Sequence, residues 1–213
     1  MMRISVFDYG AGNLHSLVKT LTGRDRTVRV ETDPQRAVTD TDVLILPGVG
    51  AFAPAAERLA AGRDAMCAAI RGGLPTLGIC LGMQLLFDAS DEGEGRGLGV
   101  IPGRVTKLDA RRLPQIGWNR LEDATDPLLS ASGLDIAYYA NSFACRPEDS
   151  QVVTAWSTHD GDHFAAAVRT GACVGVQFHP EKSSAPGVRF VEAFLASARV
   201  SSLSDSASTV VTR

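Results

Sequence analysis

Apolar and polar positions along this chain fall into two regimes. Through the first half, short stretches at residues 3–7, 28–31, 43–46 and 75–79 read as strands, the one at 43–46 a continuous apolar run and the one at 75–79 buried, and the stretches between them repeat apolar residues at helical spacing. Leu14, Leu17, Val18 and Leu21 mark one such helix, residues 53–60 and 64–71 mark two more, and residues 83–87 form the first turns of another. Strand and helix in alternation predict parallel strands covered by helices on both faces. From about Val100 the pattern turns to strands separated by turns, at residues 103–108, 136–143, 151–157, 164–169 and 173–177, before a helix over 185–198. The predicted architecture is α/β: a mostly parallel open sheet flanked by helices, with additional antiparallel strands in the second half. Residues 1–199 form one domain, and 200–213, rich in Ser and Thr without a packing pattern, read as a disordered tail.

Within that frame, Gly78-Ile79-Cys80-Leu81-Gly82 places one cysteine on the turn between a buried strand and a helix. A sharp turn of this kind brings neighbouring backbone close, which accounts for the small residues on both sides. Unpaired N–H groups at a helix start favour a thiolate, and the N–H of Leu81 would face the oxyanion formed when Cys80 attacks a carbonyl. Taken alone, the motif fits an inert buried cysteine as well as a nucleophile. The second signal lies far downstream, in Gln177-Phe178-His179-Pro180-Glu181-Lys182-Ser183. A thiol that cleaves an amide needs a base to take its proton and return it to the leaving nitrogen, and histidine titrates in the right range. In extended backbone His179 and Glu181 point to the same side, so the carboxylate can hold one ring nitrogen and turn the other toward Cys80. An isolated His-x-Glu reads as two solvated loop residues; paired with the cysteine turn, it predicts a Cys-His-Glu triad.

Composition narrows the partners. A chain of 213 residues with 45% hydrophobic content can bury one sizeable core. A net charge of -3 with no basic run argues against nucleic acid as the main partner. No stretch is long enough to cross a membrane, and residues 1–7 are too short an apolar run for a signal peptide. Cys67, Cys80, Cys145 and Cys173 lack the spacing of a zinc site, and their low density suits reduced thiols in the cytoplasm. The glycine-rich stretch 93–99 has neither a following helix pattern nor a P-loop lysine, so it reads as a flexible surface loop.

These stretches resemble the class I, or triad-type, glutamine amidotransferases and, within them, the glutaminase subunits of imidazole glycerol phosphate synthase. The matching segments are Asp8-Tyr9-Gly10-Ala11-Gly12-Asn13, Leu46-Pro47-Gly48-Val49-Gly50-Ala51-Phe52, residues 78–87, Gln115-Ile116-Gly117-Trp118-Asn119 and residues 177–183, in the family's order. The cysteine turn and the His-x-Glu specify only the superfamily, whereas the other three segments point to the subunit family. The resemblance implies a flavodoxin-like amidotransferase fold and hydrolysis of glutamine through a thioester on Cys80, assisted by His179 and Glu181, with no cofactor and no metal. It implies Val49 as the second oxyanion-hole donor beside Leu81; glycines on both sides leave the Gly48-Val49 peptide free to take either orientation, and the expectation is that its N–H points away at rest and turns inward when the partner's substrate binds. Gly50, Gln84, Ser142 and Phe143 would hold the glutamine, the last two largely through backbone groups. The implied partner is a (β/α)8-barrel cyclase of histidine biosynthesis that receives the ammonia, docked near Asn13, Trp118, Asn119, Tyr138 and Lys182. A solvated helix position for Gln84 and a core position for Trp118 are the competing expectations.

The chain departs from the family in one place. Where the family usually reads His-Ser-Tyr, this chain has Asn141-Ser142-Phe143, and asparagine keeps a hydrogen bond but cannot titrate. Two other readings therefore stay open on sequence alone: a related subunit feeding ammonia to a different synthase, and a non-catalytic subunit that keeps the fold. The intact Cys80, His179 and Glu181 weigh against the second.

Overall fold

The computed structural model describes residues 1–10 and 14–208, with side chains through Arg199. Its first half alternates β1 (Met2–Phe7), α1 (His15–Leu21), β2 (Arg26–Glu31), α2 (Pro34–Ala37), β3 (Val43–Leu46), α3 (Phe52–Leu59), α4 (Arg63–Arg71), β4 (Thr76–Ile79) and α5 (Leu81–Gln84). The second half contains β5 (Ala89–Ser90), β6 (Gly103–Lys107), β7 (Gln115–Arg120), α6 (Pro127–Ser132), β8 (Ile136–Asn141), β9 (Phe143–Pro147), β10 (Val153–His159), β11 (Asp162–Thr170), β12 (Cys173–Val176) and α7 (Ser184–Ser208). Seven strands form the main sheet in the order β10-β11-β12-β4-β3-β1-β2. The five from β12 to β2 are parallel, and β11 and β10 extend that sheet antiparallel. A three-stranded sheet, β5-β6-β9, and a two-stranded ribbon, β7-β8, complete the architecture, in agreement with the mostly parallel sheet expected.

Period-2 alternation divides the central strands between two cores. Val43, Ile45, Leu77, Ile79, Val174 and Val176 face one side, where they meet Leu17 and Leu21 of α1 and Phe190, Phe194 and Leu195 of α7. Leu44, Leu46 and Cys173 face the other, against Phe52 and Leu59 of α3, Met66 and Ile70 of α4, and Met83 of α5. Strands buried on both faces need apolar residues at every position, hence the unbroken runs in the sequence. Two helices lie outside the periodic pattern. Both start at Asp-Pro: Asp33 accepts from the N–H groups of Gln35 and Arg36, and Asp126 accepts from that of Leu128, with proline in the first turn each time. Asp126 is buried and also receives Arg169 of β11 at 2.8 and 2.9 Å, which fastens α6 to the sheet.

The structure corrects three expectations. Residues 136–143 are two strands, not one: β8 pairs with β7 and β9 pairs with β6, and the chain changes sheets at Ser142, whose carbonyl accepts from the Leu108 N–H at 2.9 Å. The helix after Cys80 starts at Leu81 and is a single turn, not a run over 83–87. The stretch 93–99 packs inward at its end, with Leu98 only 4% exposed and the Gly97 N–H donating to the Asp88 carbonyl. The α7 backbone continues as helix to Ser208. The tail expected over 200–213 falls outside the residues whose side chains are described.

Candidate active site

Parallel strands deliver the first component. β4 runs into Cys80, whose N–H donates to the Val176 carbonyl of β12 at 2.7 Å, and α5 begins one residue later. Cys80 has φ 48° and ψ -104°, a conformation that costs a non-glycine residue about 1–3 kcal/mol and persists only where the surroundings enforce it. The flanking glycines show how. A Cβ on Gly82 would lie 1.9 Å from the Leu46 carbonyl oxygen, and one on Gly78 would lie 2.7 Å from the Gly82 carbonyl oxygen. Turn, strand β3 and helix α5 are thus packed backbone on backbone, and the cysteine between them has nowhere else to go.

The chain after β12 brings the second component. His179 is 2% exposed, and its Nδ1 lies 2.8 Å from Glu181 Oε1. Its other edge is close enough to Cys80 for the sulfur to raise the imidazole's pKa. Gly48 lies alongside: a Cβ built there would be 3.0 Å from both Cys80 Cβ and His179 Cε1. Burial pulls the imidazole's pKa down, but the hydrogen bonds to Cys80 and Glu181 together outweigh it and hold it at about 9. A histidine so placed carries a proton at neutral pH and can give it to a leaving group. His179 is also tied to the ribbon: its N–H donates to the Tyr138 carbonyl at 2.8 Å, and the Tyr138 N–H donates to Ser183 Oγ at 2.9 Å.

In front of Cys80 opens a cavity of about 220 Å³. Gly48, Gly50, Leu81, Gln84, Ser142 and Phe143 line it together with Cys80, Asn141 and Glu92. Gln84 is 5% exposed, which removes the solvated-helix alternative for it. Val49 faces a neighbouring cavity of about 210 Å³, lined also by Leu14, Glu181 and Lys182, so residues 47–50 form a wall between the two spaces. Tyr9 anchors the start of that wall by donating its hydroxyl hydrogen to the Pro47 carbonyl.

Two residues of this site have no role assigned from the sequence. Gln177 is fully buried and donates from Nε2 to Cys80 Sγ at 3.4 Å. Extended-chain parity from His179 reaches Gln177, two positions earlier, so it could have found this residue, whereas Glu181 comes back to the ring not by strand parity but through the 3-10 turn over Pro180–Lys182. Glu92 lines the cavity while its Oε2 accepts from the Phe52 N–H at 3.0 Å. It sits in a loop with no periodicity, and only the packing of that loop brings it to the cavity.

The residues expected at a docking face separate into groups. Trp118 is 55% exposed and meets Tyr138 edge-on across the ribbon, with ring centroids 6.0 Å apart, which excludes the core position for this tryptophan. Ile116 and Ile136, 68% and 46% exposed, belong to the same outward face. Lys182 is exposed beside the second cavity. Asn119 turns to the inner face, where its Nδ2 donates to the Thr158 carbonyl at 2.9 Å. Asn13 lies outside the described residues.

A strained cysteine at a strand-to-helix turn, beside a histidine that a carboxylate orients, defines a thiol-dependent acyl-transfer site on an open α/β sheet. The family model for class I glutamine amidotransferases matches residues 5–198. The chain is 40% identical over 212 residues to the imidazole glycerol phosphate synthase subunit HisH of Gloeothece citriformis, covering 95% of this chain and all of that relative. It is 40% identical to HisH of Halobacterium salinarum, over 90% of this chain and 92% of the relative, and 38% identical to HisH of Corynebacterium diphtheriae, over 90% and 97%. Among solved structures, a putative GMP synthase subunit from Thermoplasma acidophilum superposes with a TM-score of 0.71 at 17% identity, over 97% of this chain and 98% of that one. PurLQS from Thermotoga maritima gives 0.65 at 19% identity, over 92% and 98%. The chain belongs to the HisH family of class I glutamine amidotransferases. Among its described residues no helix is long and apolar enough to cross a membrane.

Proposed function

We propose that this chain is a cytoplasmic glutaminase that hydrolyses glutamine and passes the ammonia to a cyclase subunit, the pair forming an imidazole glycerol phosphate synthase of histidine biosynthesis. One observation carries the reading: Cys80 and His179 meet across Gly48, with Glu181 hydrogen-bonded to the far side of the imidazole, at the edge of a cavity of amino-acid size. The Cys80 thiolate attacks the carboxamide carbon of glutamine, the oxyanion is held by the N–H groups of Leu81 and Val49, and the His179 imidazolium protonates the departing nitrogen as ammonia. Neutral His179 then takes a proton from water, the hydroxide adds to the thioester, and collapse expels the thiolate and frees glutamate. Glu181 keeps the ring aimed throughout. Gly50, Gln84, Ser142 and Phe143 enclose the substrate, and Gln177 steadies the sulfur.

The cyclase, a (β/α)8 barrel, docks on the face carrying Trp118, Tyr138 and Lys182. An exposed aromatic pair suits an interface anchor, because aromatic side chains bury much area for little conformational entropy. Docking there bears on the chemistry through the Tyr138 carbonyl, which holds the His179 backbone. The partner's substrate turns the Val49 N–H toward the cavity, and crystals with and without that substrate would reveal the turn or its absence. The overall reading is tested by measuring glutamate release from the purified chain alone and with its cyclase. Glutamate release that rises with the cyclase and vanishes in Cys80→Ala supports it; undiminished release in that variant removes Cys80 from the mechanism.

A further inference from the structure

Two carboxamides in series run from the cavity wall into the core and end on the nucleophile. Gln84 Nε2 donates to the Phe143 carbonyl at 3.2 Å and to Gln177 Oε1 at 3.3 Å. The Phe143 carbonyl fixes that end of Gln84 as nitrogen, since an oxygen there would face another oxygen. Gln177 must then present its own oxygen to Gln84, which leaves its nitrogen pointing at Cys80 Sγ, 3.4 Å away. The Gln177 backbone is pinned as well, its N–H donating to the Ala166 carbonyl at 2.9 Å. Gln84 and Phe143 line the cavity, whereas Gln177 is fully buried and outside that lining. It therefore touches the nucleophile from a place that a substrate in the cavity does not reach.

We infer that Gln177 is a positioning residue for the nucleophile, its Nε2 donating to the Cys80 thiolate in place of the hydrogen bond that water gives an exposed sulfur. The inference rests on the glutaminase reading and deepens it, adding a second support for the sulfur beside His179. Other titratable groups around the sulfur bring no positive charge. Burial, more than any other cause, holds the Tyr9 hydroxyl and the Cys145 thiol well above their ordinary ranges, so both are neutral near pH 7. Glu181 lies on the far side of the His179 ring, and Glu92 lines the cavity. Negative charge on the buried sulfur is thus met by the imidazolium and by the Gln177 N–H, and a donor is worth most when its acceptor is charged.

The test reads Cys80 itself. In the complex of this chain with its cyclase, alkylation of Cys80 by iodoacetamide is followed from about pH 5 to 10 by mass spectrometry of its peptide, because the thiolate is the form that reacts. Gln177→Met keeps the bulk of the side chain and loses the donor. On the rising part of its profile alkylation is about 10-fold slower than in the wild type, as for a lost hydrogen bond to a charged group, while the high-pH plateau stays within about 3-fold. Gln177→Glu keeps the shape and an oxygen for Gln84 but sets a second oxygen against the sulfur. A proton shared between those two groups sits on sulfur, the more basic partner, so alkylation slows at least as much. Coincident profiles for wild type and Gln177→Met, or a loss of equal size at every pH, overturn the inference, as does a Gln177→Glu profile like that of the wild type. Gln177→Glu, the closer isostere, decides alone if Gln177→Met does not fold. A wild-type complex that releases no glutamate overturns the glutaminase reading instead, and the alkylation profiles decide the role of Gln177 without any turnover.

Discussion

The cysteine turn and the β7-β8 ribbon meet at one cavity yet are built on opposite terms. Around Cys80 the flanking glycines bring backbone against backbone at close range, and the residue is 6% exposed in a strained conformation. On the ribbon, Ile116, Trp118 and Ile136 stand in solvent, and Gly117 has open space where a side chain would go. The turn uses packing to hold one atom in place, and the ribbon leaves apolar surface unburied. Apolar area exposed on an ordered strand pair stabilises nothing in the isolated chain; it contributes when a partner covers it. In the proposed reading, chemistry resides in the rigid region and coupling in the uncovered one; the His179–Tyr138 backbone hydrogen bond joins the two.

Substitutions can break this contrast. Cys80→Ala should lower glutamate release by roughly 10³-fold or more while the ribbon still binds the cyclase, seen by comparing turnover with a binding titration. Gly82→Ala should destabilise the chain by more than about 3 kcal/mol in denaturant unfolding, because the new methyl meets the Leu46 carbonyl oxygen and backbone cannot yield as a side chain does. A well-folded Gly82→Ala with normal turnover would mean that the turn is looser than its packing indicates.

The proton on His179 gives a pH test of the same region. Its pKa is raised from 6.5 to about 9, so its protonated form is favoured by folding. That contribution is present in full below about pH 6.5 and is lost as pH rises through about 9, roughly a few kcal/mol in total. Cys80→Ala removes one of the two hydrogen bonds that raise it. The stability gap between wild type and Cys80→Ala should therefore narrow from about pH 6.5 to pH 9, as read from unfolding free energies. The smallest effect on the chain itself belongs to the ribbon: Trp118→Ala should shift stability by less than about 0.5 kcal/mol, yet weaken cyclase binding by about 2 kcal/mol, near 30-fold. A large loss of stability in that variant would make Trp118 a packing residue and erase the comparison.

Much of this is legible in the order of residues. The cysteine turn can be read because its cause is local: two glycines flank a nucleophile at the end of an apolar run. The central strands β3, β4 and β12 can be read because strands buried on both faces leave short apolar stretches, whereas the edge strand β2 shows only an alternating Val-Arg-Val pattern. Helices α2 and α6 escape a search for periodicity because they are too short to show one, although Asp33-Pro34 and Asp126-Pro127 mark their starts. The division of 136–143 into two strands is illegible, since both pieces have strand composition and only pairing with β7 and β6 separates them.

By itself the sequence determined the fold class, the strained position of Cys80 and the side-by-side placement of His179 and Glu181, because each depends on neighbours within a few residues along the chain. Tertiary structure alone decided that Glu92 and Asn141 reach the cavity, and that Trp118 faces outward while Asn119 turns in. Those facts depend on which distant strands lie against one another. Residue order carries no local trace of such contacts: they arise when burial of the two cores brings separate segments to the same edge of the sheet.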